Sequence, residues 1–143
     1  MCGRNHRGGK TRETVNLDEI SLEDFKTWFP ARIIQNLNKV VLCGNYGDPI
    51  IAADCGHILS YLRSTNPTAS LILITNGSAR DSAFWRLMAA LNVEIHFALD
   101  GATAESHQRY RRHTKFEAII KKCVHVHRGR RRGGLGHAGV SAQ

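Results

Sequence analysis

Three short apolar runs, "KVVLC" at 39–43, "ASLILIT" at 69–75 and "VEIHFAL" at 93–99, are spaced along the chain with helix-patterned segments between them. Each run is too short for a helix and rich in β-branched residues, so each is read as a strand. Between the first two lies "AADCGHILSYLRS" (52–64), with Ile58, Leu59 and Leu62 on one helical face. Between the second and third lies "SARDSAFWRLMAALN" (78–92), with Phe84, Leu87, Met88 and Leu91 at three- and four-residue spacing. "SLEDFKTWF" (21–29) places Ser21 and Asp24 where a helix starts, and "KFEAIIKKCV" (115–124) begins a further helix. Strands alternating with helices need crossover connections, and crossovers make parallel sheets, so the pattern predicts an α/β fold with parallel strands.

The chain of 143 residues is long enough for a single core. Its net charge of +8 does not describe the fold. Arg4, Arg7, Lys10 and Arg12 precede the first acid, and Arg128, Arg130, Arg131 and Arg132 follow the last. The remaining 12 of the 20 basic residues face all 12 acids, so the middle is neutral. No apolar run approaches the roughly 18 residues of a membrane span, and the first ten residues lack the apolar core of a secretory signal. Cytoplasm is the expected compartment, with no membrane partner. Cys2, Cys43, Cys55 and Cys123 have neither CxxC spacing nor the look of a disulfide framework. Residues 125–143 hold five glycines and little to bury, and are expected to be disordered. A slipped reading frame would also account for that segment.

In parallel α/β folds, ligands gather at the carboxyl ends of strands. Here those ends read "GNYGDP", "TNGS" and "DGAT". Glycine lets a ligand approach the backbone and permits positive φ. Asp48, restrained by Pro49, is a candidate acceptor for a ligand ammonium, and Asp100 for a hydroxyl or ribose. Each stretch alone is also an ordinary turn. His96 alternates with Ile95 and Phe97, which points it at the sheet face where a substrate would lie or leaves it a satisfied core histidine. Cys43 reads as a core thiol. Cys55-Gly56-His57 reads as a helix face near the pocket rim. Trp28, Phe29, Phe84 and Trp85 read as helix faces packed on the sheet. Cys123, His125 and His127 alternate as a metal site would, without an evident fourth ligand.

Taken in order, "CGNYGDP", strand–"TNG", strand–"DG" and "HQRYRRHTKFE" resemble the radical S-adenosylmethionine enzymes, and most closely the branch that often carries a C-terminal SPASM- or twitch-type extension. The resemblance covers residues 1–124 and implies a partial (β/α)6 barrel, truncated at both ends, followed by the Arg/Gly-rich tail. It assigns Gly44, Tyr46, Gly47, Asp48 and Pro49 to the loop whose backbone holds the amino group of S-adenosylmethionine. Asp48 stands for the usual Glu and Tyr46 for the usual first Gly. It places Thr75 and Asn76 in the pocket and Asp100 near the ribose. Arg111 or Arg112 would pair with the cofactor carboxylate as a fork. His107 and Phe116 complete that pattern.

The family's chemistry needs a four-iron, four-sulfur cluster on Cys-x3-Cys-x2-Cys. An electron from it splits the cofactor into a 5′-deoxyadenosyl radical that abstracts hydrogen from a peptide or small molecule. Cys2 resembles the third of these cysteines, with Met1 then an internal methionine. The alternative for Cys2 is an incidental thiol. With two of three cysteines missing, the chain as it stands is expected to be inactive and to bind no cluster stably. A full-length relative would further need a reductant protein and a substrate that these residues do not identify. A competing reading takes the basic ends as a non-enzymatic nucleic-acid contact. The neutral middle and the lack of aromatics in "RGRRRGG" weigh against it.

Overall fold

The computed structural model describes residues 18–44 and 47–98, together with Glu13, Thr103, Glu105, Glu117, Ile119 and Ile120. Helix α1 (Leu22–Trp28) starts where Ser21 Oγ accepts from the Asp24 amide, as its sequence predicts. A four-residue helix, α2 (Ala31–Ile34), follows Pro30. Strand β1 (Lys39–Leu42) leads through a 3-10 turn (Pro49–Ile51) into α3 (Cys55–Thr65). Then come β2 (Ser70–Thr75), α4 (Ser82–Ala90) and β3 (Glu94–Phe97). Asp81 caps α4 by accepting from the Phe84 amide. Helical backbone is also present at Glu117, Ile119 and Ile120.

The strands form a parallel three-stranded sheet in the order β1-β2-β3, with Val41 opposite Ile72 and Ile74 opposite His96. The expected α/β alternation is therefore present, as two consecutive strand–helix–strand units. Period-2 geometry sends Val40, Leu42, Leu71, Leu73, Ile95 and Phe97 to the helix side. There they meet Ile58, Leu59 and Leu62 of α3 and Trp85 and Met88 of α4. Leu59, Leu73, Met88 and Val93 have no exposure at all. Each such side chain contributes about 1.5–3 kcal/mol by leaving water. Trp85 lies against Phe97, ring centroids 5.5 Å apart.

Two polar side chains fix the amino-terminal end of the sheet. Asn66, 5% exposed, donates to the carbonyls of Ile34 and Leu37, both at 2.9 Å, and accepts from the amides of Thr68 and Ala69. It thereby joins the end of α2 to the start of β2. Arg63 donates to the carbonyls of Leu91, Pro67 and Ala69 within 2.9 Å. With one end of the sheet held in this way, the opposite, carboxyl end is left to loops.

Several sequence expectations are corrected. Trp28 is 62% exposed and Phe29 42%. The short α1 turns Phe25, not these two, toward the core. Cys43 is exposed, because the strand ends at Leu42 and the chain has already turned outward. His96 is not a core residue: it is half-exposed, its Nε2 lies 2.7 Å from Glu94 Oε1, and it stands on the sheet face away from the helices. Among the described residues no helix is long and apolar enough to cross a membrane.

Candidate functional site

The carboxyl ends of β1 and β2 carry two loops that lean on each other. The first turns sharply at Gly44: a Cβ there would fall 1.5 Å from the Gly47 carbonyl oxygen, so only glycine fits the doubled-back chain. At Asp48 the carboxylate is used twice. Oδ1 accepts from the Ile50 amide at 3.2 Å and caps the 3-10 turn. Oδ2 accepts from the Asn76 amide at 2.7 Å, across to the loop after β2. Asp48 is thus a latch between neighbouring loops, and its remaining lone pairs are what a ligand would meet.

The second loop is shaped by its own side chains. Thr75 is 2% exposed, and its Oγ1 accepts from the Gly77 amide at 3.0 Å. Asn76 Oδ1 accepts from the Ser78 amide at 2.7 Å. Gly77 has φ +67°, and a Cβ there would lie 2.8 Å from the Phe97 ring. That position needs glycine both for its backbone and for the ring pressed against it. Arg80, also at positive φ (69°), reaches back and donates to the carbonyls of Ile50 and Ala52. Its guanidinium carbon sits 5.2 Å from the Phe84 ring centroid.

Beside these loops opens a cleft of about 580 Å³. Ile20, Phe25, Leu42, Ile51 and Ile58 supply its apolar wall, and Gly44, Gly47, Asp48 and Pro49 its loop side. Among the described residues three acids line it, Asp18, Glu19 and Asp48, and no Lys, Arg or His does. The wall leading into α1 is pinned by two cross-chain bonds. Glu19 Oε2 accepts from the Ala53 amide and Asp54 Oδ2 from the Leu22 amide, each at 2.9 Å. The hydrogen bond with His57, and then that from Leu22, holds the Asp54 carboxyl below its usual range. A cleft with an apolar body and an acid rim suits a ligand that carries positive charge on a largely apolar frame.

Of the residues assigned from sequence, Gly44, Gly47, Asp48 and Pro49 come together on the cleft, with Thr75 and Asn76 immediately behind them. Tyr46, Asp100, Arg111, Arg112 and Cys2 lie outside the described residues, as do Cys123, His125 and His127. Cys55 does line the cleft, as expected of a helix face at its rim, but it is buried and burial pushes its thiol up to about 11. His57 is largely exposed beside Asp54. Cys43 and Cys55 do not fit the cluster implied by the resemblance, which takes three thiolates. Among the described residues no three His, Cys, Asp or Glu side chains come together as a metal would require. Sequence reading missed Arg80, Glu19 and Asp54. "SARDS" reads as the start of a helix, and nothing in its spacing marks a guanidinium reaching 28 or more residues back. No family model, no curated protein and no solved structure matches the chain.

Proposed function

We propose that the cleft at the ends of β1 and β2 binds the amino-acid end of S-adenosylmethionine, in a chain related to the radical S-adenosylmethionine enzymes. On this reading β1, β2 and β3 are consecutive strands of a (β/α)6 barrel. The observation that carries it is the pairing of the two loops. Gly44 and residues 47–49, assigned by resemblance to one pocket with residues 75–77, lie beside them, joined by the Asp48–Asn76 hydrogen bond. The acid-lined cleft supports it independently. S-adenosylmethionine carries an ammonium and a sulfonium against one carboxylate, a net positive charge that suits a cleft lined by Asp18, Glu19 and Asp48. The same lining disfavours phosphate, and with it a nucleic-acid ligand at this place.

Cys43 and Cys55 do not hold the family's cluster, so no radical step is derived for these residues. What they supply is recognition: acceptors for an ammonium, glycines that admit a ligand to the backbone, and an apolar wall. Titration calorimetry of the chain with S-adenosylmethionine tests this. Without a cluster to share the ligand, weak saturable binding in about the millimolar range is expected, lowered at least several-fold in Asp48→Ala. Absence of saturable binding, or binding indifferent to Asp48, would sink the proposal.

A further inference from the structure

Arg80 occupies a backbone conformation that a side-chain-bearing residue adopts at a cost of about 1–2 kcal/mol, and it is held there by contacts of its own. Its guanidinium donates to the carbonyls of Ile50 and Ala52 and reaches that of Ala53 at 3.5 Å. Asp48 runs the opposite way, from the first loop to the amide of Asn76 in the second. The two loops are therefore clasped by crossing contacts of opposite polarity. Ile50 sits at the crossing. Its side chain is fully buried, its amide is held by Asp48 and its carbonyl by Arg80. A residue fixed at three points leaves its neighbours little freedom, and those neighbours are Asp48 and Pro49 on the cleft. A guanidinium that fills the carbonyls of Ile50 and Ala52 also withdraws them from any ligand, while those of Asp48 and Pro49 accept from the Ile51 and Ala52 amides, so on this loop it is the Asp48 carboxylate that is presented to the cleft.

We propose that Arg80 is a positioning residue for ammonium recognition: by clamping the carbonyls of Ile50, Ala52 and Ala53 it sets the loop so that the Asp48 end faces the ligand. This rests on the reading of the cleft as a site for S-adenosylmethionine, and deepens it by naming the residue that prepares the loop. Arg80 touches neither ligand nor reacting atoms on this account. It acts through Ile50.

The test compares two ligands on the full chain, S-adenosylmethionine and the analogue in which its amino group is replaced by hydrogen. Arg80→Gly is the informative variant, since glycine accepts φ near +69° without strain and removes the clamp together with the contact on the Phe84 ring, which faces no ligand group. The wild-type chain is expected to prefer the ammonium-bearing ligand by about ten-fold or more, and Arg80→Gly by no more than about two-fold. Arg80→Lys, which keeps the charge but loses the fork, is expected to fall between. It is read in the same way if the glycine variant does not fold. A variant that keeps the full preference overturns the inference and leaves the site standing. So does an equal loss for both ligands, which would make Arg80 a purely structural residue. A wild-type chain that binds neither ligand, or both alike, removes the reading of the cleft and the inference with it.

Discussion

Replacing Asp48 by alanine takes the acceptor from two backbone amides at once, those of Ile50 and Asn76. A charge-assisted bond and a cap together are worth about 1.5–3 kcal/mol, so urea unfolding of Asp48→Ala is expected to show a loss of that order. Unchanged stability would mean that the latch does not form in solution. Gly77→Ala meets two obstacles, a φ of +67° and ring atoms 2.8 Å from the new Cβ. A loss of about 2–3 kcal/mol is expected on the same assay, against near neutrality if Phe97 can move aside. Titration adds two expectations. Folding lowers the Asp54 carboxyl below 3.8, so its contribution is present above that value and is lost as pH falls through the lower, folded one. Asp54→Asn should therefore flatten the acid limb of a stability profile measured from about pH 6 down to pH 2. Cys55, pushed up to about 11 by burial, should resist iodoacetamide near pH 8 while exposed Cys43 reacts. Peptide mapping showing equal labelling in the native chain would contradict the packing of α3.

At the scale of elements, most of the pattern was legible. Apolar period and β-branching located all three strands to within two residues, because a half-buried parallel sheet imposes that composition. Ser21 announced α1 for a local reason, its hydroxyl capping the Asp24 amide. What escaped were features set by distant parts of the chain. Helix α2 is only four residues long, and its end is completed by Asn66, about thirty residues on. No local signal foretells such a partner. Cys43 was misread for a related reason: composition extends the strand one residue beyond the point where the backbone leaves the sheet. At the site, glycines and Asp48 were visible because turns use few residue types, whereas the Asp48–Asn76 and Arg80–Ile50 contacts depend on two loops meeting in space. Asn66→Ala is expected to cost about 3 kcal/mol, since several buried carbonyls and amides lose their partner together. A cost below about 1 kcal/mol would show that water replaces it.

The molecule as a whole keeps rigidity and openness apart. Arg63 and Asn66 bind the amino-terminal end of the sheet into a single body, while the carboxyl end carries the clasped loops and the cleft. The second sheet face presents Val41 and Ile74, both exposed, beside the Glu94–His96 pair. Anaerobic reconstitution of this chain with iron and sulfide is expected to yield no stable four-iron cluster, given a donor set without three thiolates in the required spacing. A stoichiometric cluster would contradict that. The most direct test of the central claim is an amide-resolved NMR titration with S-adenosylmethionine. The account expects saturable shifts centred on Gly44, Gly47, Ile50, Asn76 and Gly77, with the amides around Asn66 and Arg63 unmoved. Shifts confined to the basic ends, or none at all, would contradict it.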